Sequence, residues 1–139
     1  MENWIFISSP REYRMKDMLT QNGFVEYLQK NKVCVNDIVY IYSSYPIKRI
    51  EFKLIVERTD IPFDEMFDDL QYHLEKNPRR FIKGELFFRL RLLDISDSKD
   101  LSLSCLKQHG LNPKASMQSP FRISGELLDY IEAQFNDYQ

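Results

Sequence analysis

The stretch NDIVYIYSSYPIKRIEFKLIVERTDIP, residues 36–62, decides how the rest of the chain is read. Ile38, Val39, Tyr40, Ile41 and Tyr42 form an unbroken β-branched and aromatic run. Such a run marks a strand covered on both faces. Ser43, Ser44, Tyr45 and Pro46 then supply turn chemistry. From Arg49 to Arg58 the pattern alternates, with Ile50, Phe52, Leu54 and Val56 on one side and Glu51, Lys53 and Glu57 on the other. A period of two fits a strand with one wet face. A barrel built on this pair would carry the Ser-Ser-Tyr-Pro turn and its tyrosines at one rim.

Working outward, residues 3–8 (NWIFIS) read as a first strand. Ser9, Pro10 and Glu12 have the spacing of a capping box, which predicts a helix over residues 10–19, stopped at Gln21-Asn22-Gly23. Residues 24–30 fit either a helical turn or an extended connector. After Pro62 the chain turns acidic, and Phe67, Leu70 and Leu74 recur at helical spacing, which predicts a short surface helix with a solvated acid face. His73 is then solvated. The segment ends at Asn77-Pro78, and Arg79, Arg80 and Lys83 follow. Residues 81–93 read as the longest strand, with a bend at Gly84. Ser102 caps a brief helix, LSCLKQ, that ends near His109 and Gly110. Ser124 caps a last helix whose buried stripe is Leu127, Leu128, Ile131 and Phe135. This element order favours an α+β domain with a small curled sheet or open barrel.

Composition sets bounds. The chain has 139 residues, 43% of them hydrophobic, enough for one domain with a core. A net charge of −2 argues against nucleic-acid binding by bulk electrostatics alone, while leaving room for a local basic groove. Cys34 and Cys105 lack metal-ligand spacing and read as reduced, small core residues of a cytoplasmic protein. No apolar run spans a bilayer, and the opening Glu2-Asn3 is unlike a signal peptide. No glycine-rich loop, GxSxG elbow or His-centred ligand set is present, so the expectation is a protein that is not an enzyme and needs no metal or cofactor.

A binding module fits better. Aromatic residues make up 14% of the chain, and Tyr42, Tyr45 and Phe121 fall near strand ends, where rings can stack on a planar heterocycle. Trp4 and Phe52 are expected to be ordinary core. Uncharged polar groups interrupt the strands at Ser8, Ser9, Ser43, Ser44, Gln118 and Ser119, suited to the edge of an extruded base. Lysines and arginines recur along strands and loops, and several on one face would form a phosphate track.

Four segments resemble the EVE domain of the PUA-like superfamily, which also holds the YTH, ASCH and SRA-type base readers. NWIFISSP resembles its opening strand and Pro-led helix. VNDIVYIYSSYPIKRIEFKLIVERTDIP resembles its central strand pair, LSLSCLKQHGL its short helix, and MQSPFRISGELLDYI its Gln-Gly-Pro-x-Arg stretch and terminal helix. The chain departs from the pattern at Ser9 (usually Asn), Asn36 (usually Gly) and Ser119 (usually Gly), and in the acidic insert over residues 64–77. The resemblance implies a PUA-like open β-barrel, a curled mixed sheet flanked by short helices and a C-terminal helix, as a single domain over residues 1–139. It also implies a pocket for a flipped, modified base, such as 5-methylcytosine or hydroxymethylcytosine in DNA. The pocket residues carried over are Ser8, Ser9, Tyr42, Ser43, Ser44, Gln118 and Phe121, with Tyr42 and Phe121 stacking. Lys53 and Arg122 are the candidates for phosphate contact. Relatives fused to nucleases suggest a restriction or defence setting, in which cleavage would need a separate nuclease or effector protein. The alternatives are modified RNA, as in the YTH relatives, and a regulatory interaction subunit without ligand.

Overall fold

The computed structural model describes residues 1–75 and 84–135. Its centre is β3 (Ile38–Ser43), which pairs in parallel with β1 (Asn3–Ser8) and antiparallel with β4 (Arg49–Pro62). With β2 (Phe24–Leu28), β5 (Leu86–Ile95) and β6 (Phe121–Ile123) they form one mixed sheet in the order β2-β5-β4-β3-β1-β6. The sheet curls around a core that includes Trp4, Phe6, Val39, Ile41, Phe52 and Phe88. Its other face is covered by α2 (Leu103–Gln108) and α3 (Gly125–Ala133), over Ile5, Tyr40, Tyr42 and Ile50. The central strand therefore has no wet side: Val39, Tyr40 and Ile41 are 0% exposed and Tyr42 is 2% exposed. The unbroken apolar run required that. Among the described residues no helix is long and apolar enough to cross a membrane.

The alternation read along β4 holds from Phe52 to Val56 and breaks just before it. Ile41 is paired with Phe52 but the next residue, Tyr42, is paired with Ile50. Glu51 is the extra residue of a β-bulge, which re-aims the side chains on either side of it. Ile50 joins the outer core beside Tyr42, and Glu51 turns inward, 7% exposed. It was expected on the wet face.

Two predicted helices differ from the structure. Between Ser9 and Tyr13 there is a single turn, with the Ser9 carbonyl accepting from the Glu12 and Tyr13 N–H groups. The helix proper, α1 (Met15–Asn22), starts later and has no side-chain cap bond, so the Ser9 capping box does not form. The cause is tertiary: the Arg14 N–H donates to the Tyr72 carbonyl, and Tyr13 bridges to His73. Gly23 ends α1 as read, at φ 82° with its N–H on Leu19, and the chain then enters β2 rather than continuing as helix.

The acidic segment is the second difference. Among the described residues it holds two short 3-10 turns, Phe63–Glu65 and Leu70–Tyr72, and no α-helix. Leu70 and Leu74 stay 62% and 49% exposed, so their helical spacing buries nothing. The segment runs as a strap tied down at each end of its course. Glu26 accepts the Phe67 N–H at 2.6 Å, and Phe67 packs edge-on against Phe24. Tyr72 is buried with its hydroxyl between Gln21 and Asn22. The expected helix end at Asn77-Pro78, the basic Arg79, Arg80 and Lys83, and the start of the predicted strand at Phe81 lie outside the described residues.

Of the remaining elements, β5 has 10 residues and β4 has 14, so the stretch read as the longest strand is not the longest, and β6 was not anticipated as a strand. The Ser102 hydroxyl caps α2, and Leu127, Ile131 and Phe135 form the buried stripe that starts in α3, although Ser124 makes no side-chain cap bond. Asn36 takes the left-handed turn expected of it, φ 78°. Cys34 is exposed rather than core, Cys105 is half-buried, and both are free thiols.

Candidate functional site

In β1 the side chains of Trp4, Phe6 and Ser8 share the inner face, and Ser43 sits beside Ser8 at the ends of the parallel pair. Each strand thus finishes its apolar run with a hydroxyl at the same mouth of the barrel. Two adjoining cavities open there, sharing Ser8, Tyr13 and Met15 in their walls.

The first cavity, about 270 Å³, lies between the β1 end, β2 and the strap. Tyr13 and Tyr27 supply its aromatic lining, Met15 and Met66 its thioethers, and Glu12, Glu26, Asp69 and Glu75 its carboxylates. The strap side is an ordered row. The Tyr13 hydroxyl donates to Asp69 at 2.8 Å, His73 Nε2 lies 3.3 Å from Asp69, and His73 Nδ1 lies 3.0 Å from Glu75. Burial, and then the adjacent Asp69 carboxylate, push the Tyr13 phenol far up, so it remains a neutral donor. Glu26 is internally compensated: Arg89 donates to it twice, at 2.9 and 2.7 Å. Ser8 differs from all of these. It is 7% exposed, and among the described residues its hydroxyl has no hydrogen-bond partner. A hydroxyl in a cavity wall without a protein partner is open to water or to a ligand.

The second cavity, about 330 Å³, is reached past Ser8 and lies over Ser43, Glu51 and Phe52. The Ser43 hydroxyl donates to Glu51 Oε1 at 2.7 Å, and Arg49 Nη2 donates to Oε2 at 3.3 Å. Arg49 Nε is buried with no partner. Arg14 and Lys16 also line this cavity, and Arg11 stands nearby with its guanidinium 5.8 Å from the Tyr45 ring. Asp17 lines this cavity as well, so with Glu51 the cavity sets two carboxylates against Arg14 and Lys16, whereas the first holds four carboxylates and, among the described residues, no lysine or arginine.

The predicted site residues divide accordingly. Ser8 and Ser9 line the first cavity, and Ser8 and Ser43 the second. Ser44 lines neither of these cavities; its N–H closes the mouth by donating to the Ser8 carbonyl at 2.9 Å. Tyr42 is not placed to stack on a ligand, because strand parity turns it into the outer core under α2 and α3. Phe121 is opposite Ile5 on that same outer side, and Gln118 is exposed in the loop before β6. Lys53 sits 6.0 Å from the Tyr40 ring and Arg122 5.0 Å from the Trp4 ring, so neither belongs to the mouth. Sequence reasoning missed Tyr13, Glu51, Asp69, His73 and Glu75. His73 was expected in solvent, and its side chain is only 19% exposed. One signal was available: β1 and β3 both end their apolar runs in serine.

The curled mixed sheet, the helices on its outer face and the open mouth define a PUA-like fold. No protein-family model and no curated protein sequence matches the chain. Solved structures do. The ASCH protein of Zymomonas mobilis aligns with a TM-score of 0.64 at 14% identity, covering 97% of this chain and 96% of that one. A protein from Pseudomonas syringae aligns at 0.64 and 22% identity, covering 94% and 97%. Human THYN1, solved in complex with DNA containing 5-methylcytosine, aligns at 0.65 and 11% identity, covering 96% of each chain. At these identities the likeness establishes the fold.

Proposed function

We propose that the chain is a non-catalytic nucleic-acid-binding module of EVE type that accepts one extruded, modified base in the barrel mouth. The observation that carries this reading is the Ser8 hydroxyl, without a hydrogen-bond partner among the described residues, in the wall of a cavity lined by Tyr13 and Tyr27. A base entering it would satisfy the hydroxyl, and each base stacked on an aromatic ring contributes about 1–3 kcal/mol. Support also comes from the fold shared with THYN1, whose structure contains 5-methylcytosine DNA. The roles then fall to Ser8 and Ser9 at the base edge, Tyr13 and Tyr27 at its plane, and Arg11, Arg14 and Lys16 at the flanking phosphates. Arg14 and Lys16 replace Lys53 and Arg122 in the phosphate role because they line the second cavity, and Arg11 lies in the turn that leads to them.

The test is a titration of duplexes that differ only in one base, cytosine against 5-methylcytosine and hydroxymethylcytosine, at fixed salt. Tighter binding of a modified duplex is expected, with RNA competitors deciding between the two polymers. Equal affinity for every modified and unmodified strand, DNA or RNA, would reject the reading. Replacing Arg11 and Lys16 by Ala should flatten the salt dependence by about one unit of slope per lost phosphate contact.

A further inference from the structure

The two sides of the mouth differ in charge, and the base-sized side is the acidic one. Among the described residues no lysine or arginine lines the first cavity. Glu26 is neutralised by Arg89, which leaves Glu12, Asp69 and Glu75 facing the single imidazole of His73. Whatever the state of that imidazole, carboxylates outnumber it. The tyrosine and methionine lining adds polarizable surface, and aromatic walls beside carboxylates attract delocalised cations. Ser8, a residue only 7% exposed whose hydroxyl has no hydrogen-bond partner among the described residues, lines the same space and marks it as one that a ligand can complete.

This builds on the base-reading function proposed above. We propose that the first cavity selects a nucleobase carrying positive charge at neutral pH, as cytosine methylated on N3 or adenine methylated on N1 does, over its neutral isomers. Asp69 and Glu75, held in place by Tyr13 and His73, and the exposed Glu12 are the groups that would recognise the charge. The strap over Phe63–Tyr72 and on to Glu75 thus becomes the element that sets specificity. Neutral amino-bearing bases could also donate to these carboxylates, but they would leave the excess negative charge uncompensated.

Isomeric bases make a clean test. Single-stranded oligonucleotides bearing one 3-methylcytosine, which is cationic, or one 5-methylcytosine, which is neutral, have the same composition, and neither must break a base pair. The measurement is repeated in DNA and in RNA. At pH 7 and fixed salt the cationic isomer should bind about tenfold more tightly. The Asp69→Asn/Glu75→Gln double variant should bring the two within about twofold. Because Asp69 also holds Tyr13, Glu12→Gln serves as a second variant; its side chain is exposed and supports no other group, and it should lower the preference without altering stability. Equal binding of the isomers, or an unchanged preference in both variants, overturns the inference. If the neutral isomer binds more tightly than unmodified cytosine while the cationic one does not, the base-reading function stands and the inference falls. If neither exceeds cytosine, both fall.

Discussion

The two ends of the barrel use the same strands to opposite purpose. Trp4 and Ser8 stand on one face of β1, at its two ends. At the Trp4 end, Asp37 is 1% exposed and accepts from the Glu2 N–H at 2.9 Å, the Cys34 N–H at 2.9 Å and the Trp4 indole at 3.2 Å. One buried carboxylate there serves three donors, and its own side chain is covered. At the Ser8 end, a hydroxyl lacks a partner among the described residues, a bulge brings Glu51 inside, and two cavities open. Polar groups buried to stabilise a fold are fully satisfied; those kept for a ligand are left partly unsatisfied. The contrast between Asp37 and Ser8 makes that distinction measurable.

Removing Asp37 should have the largest effect. Asp37→Ala leaves three N–H groups without their acceptor, the Trp4 indole in a buried position and the other two part-buried. The loss should be about 3 kcal/mol in urea unfolding, read from the midpoint at constant slope. Its pH dependence carries a definite sign. Burial alone would raise the Asp37 carboxyl, but the hydrogen bonds from Glu2, Cys34 and Trp4 outweigh it and hold the group below its ordinary value. The folded state therefore prefers the carboxylate. Its contribution is complete above about pH 4 and is lost as pH falls through the lower folded value. Asp37→Asn should flatten this acid limb of the stability curve, and an unchanged limb would show that other carboxylates control it.

A smaller effect is expected at the bulge. Ser43→Ala removes the donor to Glu51 Oε1 and leaves only the longer contact with Arg49. A loss of about 1–2 kcal/mol follows from leaving a buried carboxylate short of one hydrogen bond. If the loss is instead near zero, water already solvates Glu51 through the second cavity, and that cavity is wetter than its burial suggests.

How much of this was legible in the chain depends on what periodicity records. The apolar run at Ile38–Ser43 had no wet face to conceal, so it was read as a doubly covered strand, and it is one. The same completeness hid which face of Tyr42 mattered, since a strand buried on both sides gives no parity. Ile50-Glu51-Phe52 reads as unbroken alternation, because a bulge adds one residue without leaving a turn signal. The capping box at Ser9 and the spacing of Phe67, Leu70 and Leu74 are local preferences that tertiary hydrogen bonds to Tyr72, Glu12 and Glu26 override. The site's acid wall lay in that misread segment, so its chemistry was out of reach even where its serines were not.

Ser8→Ala should have the smallest effect on folding and the most informative one on binding. A buried serine that donated to the protein would cost about 1 kcal/mol or more when truncated. Among the described residues Ser8 has no such bond to lose, and the methyl that replaces its hydroxymethyl group still packs at the end of a strand whose inner face is apolar. The unfolding midpoint should therefore stay within about 0.5 kcal/mol of the parent. Base binding, in contrast, should weaken about tenfold, the value of one hydrogen bond made only in the complex. A matching loss in both measurements would mean that Ser8 supports the strand end as Asp37 supports the other, and the two ends of the barrel would then differ in shape but not in purpose.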